Sequence, residues 1–113
     1  MSVVNVKVGN IRPKYKNLKE WTEESGNVYI GRKGIVFIDG ERFPKEDSIW
    51  ANPFKVGKDG TREEVIKKYE THIKAKIISG KANLKDIKGK NLGCWCKPES
   101  CHGDILLRLL EGI

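Results

Sequence analysis

The sequence predicts a compact α/β domain in which two main helices pack on a mixed sheet of four or five strands. Three observations support this class. Strand-like segments fill the first half of the chain, a long helix-like segment follows them, and a buried strand-like segment then runs directly into an apolar helix. Because 113 residues are enough for one hydrophobic core, we expect a single domain, residues 1–113.

The chain begins with two strand-like patterns separated by a polar stretch. Residues 4–8 alternate valine with polar residues, which is typical of a half-buried strand. Residues 11–26 predict a loop that contains one short helix. Residues 27–31 predict the second strand, and Gly31 at its end allows the backbone to approach a ligand closely.

A β-hairpin is predicted over residues 35–43. Asp39 and Gly40 lie between its two strand-like segments and supply the two positive-φ positions of a type I′ turn. Pro44 ends the returning strand because it has no N–H to donate to a ladder.

Residues 48–54 predict a loop with two candidate ligand-binding side chains. Trp50 is expected to be exposed, and Pro53 keeps Asn52 out of helical conformation, so that an extended backbone presents its amide. The alternative is a turn in which Trp50 and Phe54 simply cap the core.

A long helix is predicted to begin after Thr61 and to run to about residue 78. Thr61 and Glu64 match a capping box, and Gly80 ends the helix. His72 lies at the edge of the apolar stripe and is interpreted as a structural or surface histidine. The stripe itself comprises Val65, Ile66, Tyr69, Ile73 and Ile77.

The last part of the chain predicts a strand that leads into a helix. Residues 83–87 can form one helical turn, and residues 91–96 predict a buried strand that presents Cys94 and Cys96 on one face. Ser100 is the expected N-cap of the last helix, residues 101–111. A strand end next to a helix N-terminus is a common ligand site in α/β domains.

The stretch GCWCKPESCHGD, residues 93–104, contains all three cysteines and one of the two histidines. Cys101 would lie in the first turn of the last helix, where the helix dipole and the nearby Lys97 favour a thiolate. Cys101 and His102 are therefore the candidate catalytic residues, as nucleophile and general base.

A zinc site is the alternative for the same cluster. Cys94, Cys96, Cys101 and His102 have the number and type of ligands of a closed Cys₃His site, although the C-x-C-x₄-C-H spacing is unusual. Neighbouring side chains diverge by about 100° around a helix, so this reading requires the helix to begin later than Cys101. A third reading is that the cysteines are merely buried.

The net charge of +7 and the pI near 9.4 indicate an anionic partner, either a nucleic acid or a phosphorylated small molecule. A chain rich in Lys, Glu and Ile and without Gln is also typical of thermophily, and this alternative stays open. Arg32 and Arg62 are candidates to hold phosphate, Asn52 to pair with a base edge or sugar, and Trp50 to stack on a base. For Arg32 the alternative is an exposed surface arginine.

No run of about 18 apolar residues is present, so we expect no membrane segment. The N-terminal residues lack the pattern of a secretory signal, and we expect a cytoplasmic location.

The chain resembles a family of small proteins of unknown function from bacteria, archaea and viruses. The matching stretches are Y-I-G-R at residues 29–32, W-A-N-P-F at 50–54, the Arg-Glu-led segment at 61–69, and the block at 87–104 that contains C-W-C-K-P and C-H-G-D. Ala51 stands where the family usually has glycine, and residues 34–44 resemble a longer insertion. The resemblance implies the position of the site and no particular reaction.

Two classes of function are therefore expected. The first is an enzyme or ligand-binding domain that acts on a nucleotide or nucleic-acid component through the Cys/His cluster. The second is a zinc-stabilised module that binds nucleic acid without catalysis. A structural or interaction domain without chemistry is the third possibility.

Overall fold

A computed structural model of the chain describes residues 2–95 and 101–112. The α/β class is confirmed, and the described residues contain five strands and four α-helices. The strands form two sheets, where the sequence predicted one. In chain order the elements are β1 (Ser2–Asn5), α1 (Val8–Ile11), α2 (Leu18–Glu23), β2 (Asn27–Tyr29), β3 (Val36–Ile38), β4 (Glu41–Phe43), α3 (Arg62–Ile78), a 3₁₀ turn (Leu84–Asp86), β5 (Asn91–Cys94) and α4 (His102–Glu111).

The main sheet has three parallel strands in the order β1-β5-β2. Leu92 in the central strand pairs with Val3 on one side and with Val28 on the other. Because all three strands are parallel, their carboxyl ends lie at one edge of the sheet. The ends of β2 and β5 are neighbours there, and this is the edge at which α/β domains bind ligands.

The second sheet is the predicted hairpin. Asp39 and Gly40 have φ values of 53° and 82°, which are the positive values that a type I′ turn requires. The Gly34 N–H donates to the Pro44 carbonyl at 2.8 Å and closes the base of the hairpin. This hairpin coincides with the stretch that resembles an insertion relative to the family pattern.

The first strand is shorter than the valine alternation predicts. It ends at Asn5, and Val8 begins the short helix α1, so the prediction of a strand over residues 4–8 is wrong for its second half. Val6 is buried and still donates its N–H to the Cys94 carbonyl at 3.0 Å, but Lys7 then turns the chain away from the sheet. The short helix predicted within residues 11–26 is confirmed as α2.

The two long helices complete the core. The Thr61–Glu64 capping box and the end of α3 at Ile78 are confirmed. The start of α4 differs from the prediction, because the N-cap is Cys101 and the helix begins at His102. Ser100, the predicted cap, lies outside the described residues. The main core cluster includes Ile30, Tyr69, Ile73, Leu92, Cys94, Cys101, Ile105 and Leu106.

None of the helices within the described ranges is long and apolar enough to cross a lipid bilayer.

Candidate functional site

A cavity of about 460 Å³ lies at the carboxyl edge of the parallel sheet. It brings together side chains from four separate parts of the chain: the end of β2, the loop before α3, α3 itself and the junction of β5 with α4. The predicted site residues that line this cavity are Arg32, Asn52, Arg62, Cys94, Cys101 and His102. Residues that are far apart in the sequence therefore meet at one cavity among the described residues. Cys96 and Lys97 lie outside them.

Cys101 and His102 form a close pair at the floor of this site. His102 Nδ1 lies 3.6 Å from Cys101 Sγ, and both residues are buried. On the other side of the ring, Nε2 lies 2.7 Å from the Ile30 carbonyl oxygen. A carbonyl oxygen can only accept, so Nε2 carries the proton of this bond, and in the neutral ring Nδ1 is then an acceptor directed at the thiol.

The pair can form because Cys101 is not itself helical. Its φ and ψ of −139° and 154° are extended, and the helix begins one residue later. Two neighbouring side chains inside a helix would diverge, whereas an extended N-cap followed by the first helical residue lets them face each other. The zinc reading required the helix to begin after Cys101, and it begins at His102.

Each residue of the C-H-G-D sequence has a separate structural task. Cys101 Sγ accepts from the Gly103 N–H at 3.4 Å, and the Asp104 carboxylate accepts from the Cys101 N–H at 3.0 Å. A Cβ on Gly103 would lie 2.9 Å from a Val3 methyl and 3.0 Å from the Ile30 Cδ1 atom. Glycine therefore lets the first turn of α4 pack tightly on β1 and on Ile30, and this contact brings His102 within reach of the Ile30 carbonyl.

Arg32 ties the loop before α3 to the end of β2. Its Nε donates to the Asn52 carbonyl and its Nη2 to the Phe54 carbonyl, both at 2.9 Å. Neither bond uses Nη1, so the guanidinium can hold the loop and still offer donors to a ligand. The prediction that Arg32 holds phosphate stays a prediction.

The Asn52 amide is already engaged within the protein. Its Oδ1 accepts from the Phe54 N–H at 2.9 Å, and its Nδ2 donates to the Val65 carbonyl at 3.3 Å. These bonds form a tight turn and attach it to α3. Asn52 therefore shapes the cavity wall. Only the donor and acceptor capacity that these two bonds leave unused would be available for its predicted pairing with a base edge or sugar.

Trp50 is not exposed, contrary to the prediction. Its side chain is 3% accessible and belongs to the core, and it is not among the residues that line the cavity. The Trp50 carbonyl accepts from the Tyr69 hydroxyl at 2.7 Å, which fixes the loop over the core. The alternative reading, in which Trp50 and Phe54 cap the core, is therefore right for Trp50, whereas Phe54 is half-buried and lines the cavity. We do not assign Trp50 a stacking role.

Tyr69 is a component of the site that the sequence placed only in the apolar stripe. Its ring meets the His102 ring edge to face, with centroids 4.9 Å apart. Burial, and to a smaller extent the Cys101 side chain, raise the pKa of Tyr69 well above its ordinary value. The phenol therefore stays protonated and keeps its bond to Trp50. The helical spacing that assigned Tyr69 to the core does not indicate which side chains it meets there.

The cavity is lined by both cationic and apolar side chains. Arg32, Lys55 and Arg62 line it, and among the residues that the structure describes no carboxylate does. Phe54, Val65, Ile66 and Trp95 provide apolar surface. A cavity of this size and mixed character is suited to an anionic organic ligand.

Gly31 has a packing role in addition to its place in the cavity wall. The Tyr29 side chain folds back over it, and the Tyr29 hydroxyl donates to the Arg32 carbonyl at 2.8 Å. Trp95 Nε1 in turn donates to the Tyr29 hydroxyl at 2.7 Å. A Cβ on Gly31 would collide with the tyrosine ring, so glycine is needed here for protein packing.

Within residues 2–95 and 101–112, no group of three or more Cys, His, Asp or Glu side chains is arranged to hold a metal ion. Cys96, the fourth ligand of the predicted zinc site, lies outside these ranges.

The fold and the site define a small parallel α/β protein with a cysteine–histidine pair at the carboxyl edge of its sheet. The chain belongs to the family described as Domain of unknown function (DUF4326), whose model matches residues 14–112.

Two viral proteins are similar to the chain. The uncharacterized 12.4 kDa protein in the nrdA-td intergenic region of Enterobacteria phage T4 is 42% identical over 68 residues, which are 57% of this chain and 61% of the phage protein. An uncharacterized protein of Acanthamoeba polyphaga mimivirus is 33% identical over 93 residues, or 75% of this chain and 67% of that protein. No solved structure matches the chain.

Proposed function

We propose that the cavity binds a nucleotide, or one nucleotide unit of a nucleic acid, and that Cys101 and His102 act on it by covalent catalysis. One observation carries this proposal. A thiol and an imidazole line a cationic cavity, and a carbonyl oxygen lies within hydrogen-bond distance of the far nitrogen of that imidazole. This is the nucleophile, base and orienting group that thiol enzymes require.

Two interactions at Cys101 can stabilise its thiolate. Sγ accepts a hydrogen bond from the Gly103 N–H at the first turn of α4, where the helix dipole is positive. An imidazolium at His102 would face the same sulfur through Nδ1, at 3.6 Å. Both interactions lower the free energy of the charged sulfur relative to the thiol.

The chemistry that follows is a two-step group transfer. The Cys101 thiolate attacks an electrophilic carbon of the ligand, so that a carbon–sulfur bond forms while the bond to the leaving group breaks. His102 donates to the leaving group the proton that Nδ1 took from the thiol. Nδ1 then takes a proton from water or another acceptor, whose oxygen displaces the sulfur and restores the thiolate.

The choice of a nucleotide is supported by the mixed lining of the cavity. Arg62 and Lys55 can pair with phosphate oxygens, and the apolar side chains of Val65, Ile66 and Trp95 can cover a base. The positive net charge of the chain is consistent with such a ligand.

The test is calorimetric titration of the wild-type protein with each common nucleoside 5′-monophosphate. We expect saturable binding of at least one of them, weakened about tenfold or more by Arg62→Ala, the loss of one charge-assisted bond. Arg108→Ala is the matched control. It removes the same charge from a side chain that pairs with Glu70 and does not line the cavity. Binding of none of the nucleotides, or equal weakening by both variants, would overturn the proposal.

A zinc site is the second candidate, and one distance favours it. Two ligands of a tetrahedral zinc, with Zn–S about 2.3 Å and Zn–N about 2.0–2.1 Å, lie about 3.6 Å apart. The Cys101 Sγ and His102 Nδ1 atoms are separated by 3.6 Å. The bond from His102 Nε2 to the Ile30 carbonyl is also the kind of outer contact that orients a metal-binding histidine.

Metal analysis of the purified protein separates the two candidates. The zinc reading requires about one zinc per chain and a melting temperature that falls on chelation. The covalent reading requires full nucleotide binding in protein treated with a chelator.

A further inference from the structure

A second cavity, of about 470 Å³, adjoins the first along the loop before α3. The two cavities share Arg32, Asn52 and Lys55. Arg32 and Asn52 are held in place by the hydrogen bonds that tie this loop to β2 and α3. A ligand that extended from one cavity into the other would therefore pass these fixed side chains, including the cationic Arg32.

The second cavity is also positively charged. Lys33 and Lys76 line it together with the shared Arg32 and Lys55, and Asp47 is the one carboxylate among its described lining residues. That carboxylate accepts from the Lys33 backbone N–H at 2.8 Å. The charge of the cavity is therefore suited to a second anionic group.

His72 adds ring surface to this cavity. Its imidazole meets the Phe54 ring edge to face, with centroids 6.0 Å apart. Burial and the neighbouring Lys76 lower the pKa of His72, so the ring is neutral near pH 7. The positive charge of the cavity thus comes from its lysines and Arg32, and the imidazole offers a flat surface.

We propose, on the basis of the function proposed above, that the second cavity holds the neighbouring nucleotide of a single strand, so that the substrate is an oligonucleotide. The size of the cavity supports this choice over a nucleoside diphosphate. It is as large as the first cavity, and a second phosphate alone would not need such a volume. Arg32 would then contact the phosphodiester between the two units, and Lys33 and Lys76 the next phosphate.

The test compares three probes on the wild-type protein: the nucleoside 5′-monophosphate that binds best, its 5′-diphosphate, and the dinucleotide that begins with the same base and carries both a 5′-phosphate and a 3′-phosphate. We expect the dinucleotide to bind at least tenfold more tightly than the monophosphate. The double variant Lys33→Gln and Lys76→Gln should remove that gain and change the monophosphate affinity by less than twofold. Glutamine retains a donor for the Ile49 carbonyl, to which Lys76 bonds at 3.1 Å.

The matched control is the double variant Lys67→Gln and Lys85→Gln, which removes two exposed lysines that line neither cavity. It should retain the dinucleotide gain. An equal loss in both double variants, no gain for the dinucleotide, or the same gain for the diphosphate would overturn the inference. Monophosphate binding without a dinucleotide gain would leave the proposed function standing, whereas no nucleotide binding would refute that function itself.

Discussion

His102 Nδ1 lies 3.6 Å from Cys101 Sγ although the two residues are neighbours in sequence. The arrangement depends on the boundary of α4, because Cys101 is the extended N-cap and His102 is the first helical residue. The helix N-terminus thus has two roles, since the sulfur that caps the helix is also the atom that we propose as nucleophile.

The capping role of Cys101 predicts losses of stability of different size for two small substitutions. Cys101→Ser retains a side chain that can accept from the helix N–H groups, so its free energy of unfolding should stay within about 1 kcal/mol of wild type. Cys101→Ala loses the cap and buried volume and should cost about 1–2 kcal/mol. Urea unfolding of both variants measures this difference. If alanine were as stable as serine, the capping role of the sulfur would be refuted.

Gly103 is predicted to be intolerant of even one added methyl group. Gly103→Ala should destabilise the protein by about 1–3 kcal/mol, because the new Cβ would press on Val3 and Ile30, although alanine favours helix. Gly26→Ala is the control, since no atom lies within 4 Å of its Cβ position. Thermal unfolding should separate the two variants, and equal melting temperatures would argue against tight packing of α4 on the sheet.

The contact between the two long helices predicts a small effect of pH on stability. Glu70 on α3 pairs with Lys74 at 2.8 Å and with Arg108 on α4 at 2.5 Å, and these cations lower the pKa of Glu70. A carboxyl whose pKa is lower in the folded state stabilises the fold above its ordinary pKa, and the contribution is lost as the pH falls through the lowered value.

Glu70→Gln should therefore reduce the free energy of unfolding by less than about 1 kcal/mol at pH 7, since the pair is at the surface. The difference from wild type should shrink towards zero below about pH 4. Denaturant titrations at a series of pH values measure it. A difference that grew on acidification would contradict the assigned ion pairs.

Several residues of the site could be predicted from sequence because each lies next to the end of a strand or the start of a helix. Arg32 follows β2, Arg62 opens a capped helix, and Cys101 with His102 follows β5, the last strand. Parallel strands then bring their carboxyl ends to one edge. The pattern of strands and caps therefore indicated where each residue lies in its element, but the sequence predicted a mixed sheet and did not give the parallel pairing that brings these residues together.

The features that the sequence did not predict depend on contacts between residues that are far apart in the chain. Trp50 was expected to be exposed because it lies in a predicted loop, but the hydrogen bond from Tyr69 to its carbonyl holds the loop against the core. The Asn52 amide was expected to face a ligand, yet it bonds to Phe54 and to Val65. Valine alternation did not show that the first strand ends at Asn5, since Val6 is buried on either reading.

The proposed covalent catalysis requires the Cys101 sulfur to be reactive in the native protein. Cys101 should be the cysteine that reacts fastest with iodoacetamide in the native protein at pH 7, as measured by mass spectrometry of the labelled peptides. His102→Gln is the informative variant, because its amide can retain the bond to the Ile30 carbonyl but provides no base beside the sulfur. We expect this variant to lower the rate at Cys101 by about tenfold or more while the rate at Cys94 stays unchanged. An unchanged rate at Cys101 would contradict the assignment of the cysteine–histidine pair as the reactive centre.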